Sequence, residues 1–217
     1  MTEFDRDTAV SRLEGLLETV ENETLPVPVR EVWVYGDLAL GLDPVDRLDV
    51  YLTKDLLFGQ ADEEATALNA ELGVEGIGET VRTEWARDHQ EAVTANASGH
   101  VAPEQCLAAH LTEDGEPIHL EVCNASFEDN VTRRLEGALA RETYEQVLDP
   151  RGVCLWLEGT QSSEALEKLR AGEYVFPTLA EALQQLGAEE QQATAAAQTL
   201  QERRERERGV TVRGDVH

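Results

Sequence analysis

The residues best suited to chemistry lie close together between positions 36 and 49. A hydrophobic run ends at Gly36, a short turn leads to Gly41, and a loop then opens a second hydrophobic run that carries Asp49. Carboxylates at positions i and i+2 of a strand share one face, roughly 6–7 Å apart along it. Such a pair can hold two divalent metal ions about 3.5–4 Å apart, as enzymes that act on phosphoryl groups do. Position 47, where the first carboxylate would lie, is an arginine.

This stretch resembles the nucleotidyltransferase superfamily, which includes small archaeal nucleotidyltransferase-domain proteins and polymerase-β-like enzymes. In that superfamily a hydrophobic segment leads to Gly-Ser, three residues and Gly, and the following strand carries Asp, a hydrophobic residue and Asp. Gly36, Asp37 and Gly41 match the turn, with Asp37 in place of the serine, and Asp49 matches the second carboxylate. Arg47 takes the place of the first carboxylate. A cation there cannot bind a metal ion and would repel one.

The resemblance also implies a role for each matching residue and a third carboxylate on a later strand. It covers residues 30–53 and, by inference, residues 105–123, where Glu121 matches the third carboxylate. If the site is active, Asp49 and Glu121 would be catalytic and would bind Mg²⁺. The implied nucleotide-binding positions are the turn and the start of the second strand, namely Gly36, Asp37, Gly41 and Arg47.

Asp46 is an alternative source of the missing carboxylate. It lies three residues before Asp49 and would face the other way on a regular strand, so a β-bulge would be needed to bring it round. Arg47 is better suited to pair with Asp49 itself, or to meet a phosphate group directly.

A second group of polar residues is expected on a β-hairpin. Residues 106–111 and 117–123 flank an Asp-Gly dipeptide, which is typical of two-residue hairpin turns. That register pairs His110 with His119 and leaves Glu121 on the same face, opposite an apolar face. The two histidines and Glu121 form an alternative metal site. The competing interpretation is a half-exposed hairpin that binds nothing.

Composition and charge limit the classes of protein to which this chain can belong. The 217 residues carry a net charge of −26, with 44 acidic residues against 18 basic ones. A hydrophobic fraction of 41% is high for a disordered acidic chain, so the acidic residues are expected on a folded surface. Only Lys54 and Lys168 are lysines, and such an acidic coat resembles proteins of salt-loving archaea, where salt screens self-repulsion. The charge disfavours general nucleic-acid binding at low salt and leaves it open at high salt.

The sequence predicts a cytoplasmic protein without a membrane partner. It has no secretory signal pattern and no apolar run of 18 residues. Its three cysteines lack CxxC spacing, which argues against a disulfide framework.

The elements that must position these residues form an α+β pattern. Alternation and apolar runs predict strands over 30–35, 47–53 and 153–157, and residues 73–78 fit either a strand or a loop. Helical spacing predicts helices over 7–21, 61–72, 80–95, 127–147, 162–170, 179–186 and 188–208, with the charge run 203–208 as a solvated helix end. We expect a small mixed β-sheet covered by helices, as a nucleotidyltransferase-like domain over 1–158, and an α-helical C-terminal extension over 159–217.

Three functions are consistent with this pattern. The first is a nucleotidyltransferase-like protein with a degenerate metal site, which binds a nucleotide, RNA or a protein partner without catalysis, in a regulatory or antitoxin-like role. The second is an active Mg²⁺-dependent nucleotidyltransferase in which Asp46, Asp49 and Glu121 hold the metal. The third is a structural or assembly protein without a ligand. An ion pair between Arg47 and Asp49 at the centre of the site would favour the first over the second.

Overall fold

A computed structural model describes most of the chain. The described residues are 4–54 apart from 24, 26 and 27, then 107–206 apart from 109 and 114, and 211–214, together with the backbone of 74–77, 80–83 and 100–101. All structural statements below concern these residues.

The centre of the molecule is a six-stranded mixed sheet with the order β8-β7-β1-β2-β6-β9. Strand β1 runs antiparallel to β2 and to β7, whereas β6 runs parallel to both β2 and β9. A separate sheet has the order β3-β4-β5. The strands in chain order are β1 (Val29–Tyr35), β2 (Leu48–Lys54), β3 (Val74–Ile77), β4 (Thr80–Thr83), β5 (His100–Val101), β6 (Ile118–Cys123), β7 (Gly152–Leu157), β8 (Thr160–Gln161) and β9 (Thr211–Arg213).

Helices cover both faces of the six-stranded sheet. They are α1 (Arg6–Asn22), α2 (Phe127–Arg141), α3 (Ser163–Ala171), α4 (Leu179–Gln185) and α5 (Glu190–Arg206). Their starts follow local capping rules, because a side-chain oxygen of the N-cap residue accepts a hydrogen bond from the backbone of the first turn. Asp5 caps α1 in this way, and Thr178 with Glu181 forms a capping box at the start of α4.

The sheet separates an apolar layer from a polar one. On one face the alternating residues Leu48, Val50 and Leu52 are fully buried and pack with the apolar sides of α1 and α3. On the other face Asp49 and Glu121 are also fully buried, and residues of α2 and α5 reach them. Because successive side chains of a strand point to opposite faces, one register determines both layers.

The main strands and helices of the α+β prediction are confirmed. The strands predicted over 30–35, 47–53 and 153–157 correspond to β1, β2 and β7, and β7 lies between β1 and the two-residue edge strand β8. Among the described residues, the long helices also lie where the spacing predicts them, with α2 ending at Arg141. No described helix has both the length and the apolar character that a membrane span requires.

The predicted hairpin is wrong. Residues 107, 108, 110 and 111 are helical, and β6 pairs in parallel with β2 and β9. The physical reason is that Leu107, Ala108 and Leu111 are buried at i, i+1 and i+4, which is the spacing of one helical turn. The six residues 106–111 are short enough to fit the period of a helix as well as that of a strand, and their described residues are helical.

Two further predictions need correction. Residues 80–83 form β4 rather than the start of a helix, whereas residues 61–72 and 84–95 lie outside the described residues. Residues 73–78 fit either a strand or a loop by sequence, and residues 74–77 within them form β3.

The segment after residue 158 contains the predicted helices but also adds β8 and β9 to the central sheet, so it is more than a helical extension.

Candidate functional site

The turn that begins at Gly36 is built against Asp49. Gly36 has a φ of +70°, and a Cβ atom there would lie 2.3 Å from Oδ2 of Asp49. Glycine is therefore required both by the left-handed backbone and by the close approach of the carboxylate. Leu40 N–H donates to the Gly36 carbonyl at 2.9 Å, and the buried Leu38 anchors the turn in the apolar core.

Asp49 is held by two arginines. Arg47 donates through Nε to Oδ1 at 2.8 Å, and its Nη2 lies 2.6 Å from the same oxygen. Arg204, on α5, donates through Nη2 to Oδ2 at 2.7 Å. The expected ion pair between Arg47 and Asp49 is thus confirmed, and both carboxylate oxygens of this buried residue contact a guanidinium group.

Arg204 also bridges Asp49 to the turn. The same Nη2 atom lies 2.8 Å from Oδ1 of Asp37, so two carboxylates converge on one cationic nitrogen. Burial works to lower the pKa of Arg204, but Asp49 and Asp37 raise it above its ordinary value, so the guanidinium stays charged. It occupies a position between carboxylates that a divalent cation would take in a metal site.

Glu121 lies on the same face of the sheet, one strand away from Asp49. In the parallel pairing of β2 with β6, Asp49 is opposite His119 and Tyr51 is opposite Glu121. The Glu121 carboxylate contacts Arg134 of α2 at 2.6 Å and lies 3.6 Å from Nη1 of Arg213 on β9.

These partners keep Glu121 ionised. Burial works to raise the pKa of this carboxyl, but the hydrogen bond with His119 and the charges of Arg134 and Arg213 lower it to about 2. His119 lies 3.5 Å from Glu121 through Nε2, and its Nδ1 lies 2.6 Å from the Thr211 hydroxyl. The polar face therefore holds the Glu121 carboxylate as an ion.

His110 does not lie opposite His119, as the hairpin prediction required. His110 is half-buried in the helical residues before β6, whereas His119 is on β6. The predicted metal site required His110 and His119 to be cross-strand neighbours in a hairpin, and the structure does not place them so. Among the described residues, no group of three or more His, Cys, Asp or Glu side chains could hold a metal ion.

A cleft of about 690 Å³ opens above the arginine-paired Asp49. The exposed Asp46 lies in its wall, and Arg47 and Arg204 also line it. Arg151 in the same wall is neutralised by Asp149, with contacts of 2.9 and 2.8 Å. The lining combines charged, polar and apolar residues, namely Asp37, Leu40, Leu42, Asp46, Arg47, Asp149, Arg151, Thr178, Leu179, Ala197, Gln198, Leu200, Gln201, Arg204 and Glu205.

The structure brings together only part of the predicted site. Asp37, Asp46 and Arg47 reach the cleft, and Asp49 lies buried beneath Arg47 and Arg204. Glu121 shares the polar face with Asp49 but is not among the described residues that line the cleft. The predicted residues are therefore divided between an open cleft and a closed layer of ion pairs.

Sequence reasoning missed the arginines that reach these carboxylates from a distance. Arg134 did carry a signal, because it lies at helical spacing among the buried residues Val131, Leu135 and Ala138 of α2. Arg204 belongs to the alternating charge run that suggested a solvated helix end, and nothing in its local pattern indicates Asp49, which is 155 positions away.

Fold and site together define a mixed α+β protein in which buried carboxylates are paired with arginines. A family model, described as a family of unknown function (DUF7095), matches residues 5–217, and the chain belongs to that family. Searches of curated proteins and of solved structures gave no match.

Proposed function

We propose that this protein is a non-catalytic, nucleotidyltransferase-like binding protein in which arginine–carboxylate pairs have replaced the metal site. Among the nucleotide, RNA and protein partners that the resemblance implies, a nucleotide suits the cleft best. Its volume of about 690 Å³ falls in the range of small-molecule sites, about 300–1,000 Å³. The protein would then act by sensing or sequestering its ligand.

The observation that carries this proposal is the double pairing of Asp49. A metal ion could bind Asp49 only by displacing both Arg47 and Arg204, whose nitrogens lie 2.6–2.8 Å from its oxygens. Two like charges so close to one carboxylate would also repel a divalent cation. The pairing therefore favours binding over metal-dependent transfer.

Three further features support the resemblance itself. The Gly36 turn packs directly against Asp49, as a turn that presents a ligand to a carboxylate would. Asp49 and Glu121 share one face of adjacent strands, and the cleft opens where the turn and the start of β2 meet. These relations match what the superfamily pattern implies for residues 36–49 and for the later carboxylate.

The test combines a transfer assay with a binding assay at high salt. Wild-type protein is incubated with labelled nucleoside triphosphates and Mg²⁺ or Mn²⁺, and equilibrium binding of the same nucleotides is measured by calorimetry. We expect binding without label transfer. Gln198→Ala and Asp46→Asn, both in the cleft wall, should change the affinity, whereas Arg30→Gln, in an exposed pair with Glu158, should leave it unchanged.

Two outcomes would contradict the proposal. Label transfer by the wild type that is lost in Asp49→Ala, with the fold verified by circular dichroism, would show an active enzyme. If no nucleotide binds and a stable partner is recovered at high salt, a structural or assembly role would replace ligand binding.

A second function, the active Mg²⁺-dependent enzyme, is favoured by one observation. Asp37 and Asp49 converge on a single nitrogen of Arg204 at 2.8 and 2.7 Å, so removal of that nitrogen would leave two carboxylates aimed at one point. Asp46 lies in the same cleft wall. If this function is correct, Arg204→Gln should bind Mn²⁺ more tightly than the wild type and should gain transfer activity.

A further inference from the structure

The arginines that line the cleft at the start of β2 are already paired with carboxylates. Arg47 and Arg204 both contact Asp49, which lies buried beneath them, and Arg204 also contacts Asp37 in the cleft wall. Two guanidinium groups therefore face two carboxylates at this end of the cleft. A phosphate group that approached them would have to compete with ion pairs of 2.6–2.8 Å.

Arg151, the third arginine of the cleft wall, is held in the same way. Its Nε and Nη2 atoms donate to the two carboxylate oxygens of Asp149, and its Nη1 donates to the Pro177 carbonyl at 3.2 Å. All three nitrogens of the guanidinium thus have acceptors within the protein. Its charge and its bidentate fork, the features with which arginine binds phosphate, are used by Asp149.

Two carboxylates of the cleft wall remain without a cation. Asp46 and Glu205 are both exposed, and among the described residues neither has an ion-pair partner. Glu205 accepts a hydrogen bond from Gln201 at 3.3 Å, which leaves its charge in place. The lining residues therefore carry an excess of negative charge, in a protein whose net charge is −26.

The cleft also exposes apolar surface. Leu42 is 49% exposed, and Leu40 and Leu179 are half-buried in the same wall. A flat aromatic ligand would remove part of this surface from water, which is favourable in proportion to the apolar area that it covers.

We propose that the cleft binds the nucleoside part of its ligand, the base and the sugar, and leaves the phosphates in solvent. This inference rests on the proposed function, because it names the part of the nucleotide that the cleft recognises. The leucines suit the face of a base, and the carboxylates of Asp46 and Glu205 can accept hydrogen bonds from sugar hydroxyls or base amino groups. The same two carboxylates would repel phosphates, and the paired arginines would not offset that repulsion.

The test compares the four common nucleosides with their 5′-triphosphates by calorimetry on the full chain. Divalent metal is left out so that the phosphates keep their whole charge. Each pair is measured at two salt concentrations at which circular dichroism shows the intact fold. We expect the nucleoside to bind at least as tightly as its triphosphate. Its advantage should grow at the lower salt concentration, because charges in the cleft are then screened less.

Variants of the two carboxylates test the cause. Asp46→Asn and Glu205→Gln should each improve triphosphate binding relative to nucleoside binding by about two- to fivefold, the usual effect of one exposed charge. Glu164→Gln is the matched control, because it removes an exposed carboxylate that does not line the cleft and is paired with Lys168. It should leave the ratio of the two affinities unchanged.

The outcomes separate this inference from the proposed function. Tighter binding of the triphosphate, with a difference that widens at lower salt, would overturn the inference and leave nucleotide binding in place. An unchanged ratio in both Asp46→Asn and Glu205→Gln, or an equal shift in Glu164→Gln, would also overturn it, because the cleft carboxylates would then not select the ligand. If neither a nucleoside nor a triphosphate binds, the proposed nucleotide function fails and this inference fails with it.

Discussion

The two faces of the central sheet bury side chains of opposite character on the same strands. On β6, Leu120 and Glu121 are neighbours and both are 0% exposed, yet one packs in an apolar core and the other among guanidinium groups. Burial of Leu120 stabilises the fold directly, because it removes apolar surface from water. Burial of Glu121 costs desolvation that its partners must offset, so an ion pair of this kind is weak evidence of a stabilising role. The apolar face therefore contributes to the stability of the fold directly, whereas the ion pairs of the polar face must first offset the cost of burying their own charges.

The largest expected effect comes from breaking the polar face at Glu121. Glu121→Gln would leave the buried Arg134 and the half-buried Arg213 beside a neutral side chain, and removal of one partner from a buried ion pair costs about 3–5 kcal/mol. Chemical denaturation at constant salt measures the change. Glu164→Gln, in an exposed pair with Lys168, is the control and should leave the denaturation midpoint unchanged.

Leu120→Ala sharpens the comparison from the other face of the same strand. It should cost about 2–5 kcal/mol through lost apolar contact and a cavity. If Glu121→Gln leaves the free energy of unfolding unchanged while Leu120→Ala lowers it, the arginines around Glu121 relax or find other partners. The stability of the polar face would then not depend on the Glu121 carboxylate.

Acid should destabilise the protein through the polar face. The pKa of Glu121 is lowered to about 2 in the folded protein from an ordinary value of 4.5. A lowered folded pKa means that its contribution is complete above pH 4.5 and is lost as the pH falls from 4.5 toward 2. Other carboxyls with lowered pKa values, such as Asp5 and Glu181, add to the same trend. The difference between wild type and Glu121→Gln should therefore shrink over that range, whereas the difference for Leu120→Ala should stay nearly constant. If the free energy of unfolding changes with pH in the same way for all three proteins, Glu121 does not contribute to the acid sensitivity.

The smallest of these effects is expected at the glycine beside Asp49. Gly36→Ala places a Cβ atom 2.3 Å from Asp49 Oδ2 in a left-handed conformation, which should cost about 1–3 kcal/mol and weaken the contact with Arg204. Gly15→Ala is the matched control, since it lies within α1 with nothing within 4 Å of its added Cβ. That change should stabilise the protein by about 0.5–1 kcal/mol. Thermal denaturation of both variants compares them, and equal effects would mean that the approach of Asp49 is not restrictive.

Local patterns predicted the fold where burial follows a simple period. The alternation of Leu48, Val50 and Leu52 placed Asp49 on the opposite face, and the two-residue spacing predicted its pair with Arg47. The same logic failed for 106–111, because a short apolar segment with Leu107 and Leu111 four residues apart fits a helix as well as a strand. Period alone cannot decide so short a run.

The rest of the site was beyond local reasoning because its cations come from distant elements. Arg204 and Arg213 reach the sheet only when α5 and β9 return to it, and no local pattern at either residue identifies a carboxylate partner. Arginines of an acidic chain usually lie on the surface, so the charge run 203–208 predicts a solvated helix end. That prediction is wrong for Arg204, whose guanidinium pairs with the buried Asp49. Arg134 was detectable in principle, because it interrupts the apolar side of α2.

The late position of Arg204 and Arg213 also bears on how the protein is made. Synthesis proceeds from the N-terminus, so β1, β2 and β6 leave the ribosome before α5 and β9 exist. During that interval Asp49 and Glu121 lack two of their four arginine partners, Arg204 and Arg213. The other two, Arg47 and Arg134, emerge earlier. The polar face reaches its final charge balance when the last helix and strand dock, so a fragment that stops before Arg204 would not reproduce the intact domain.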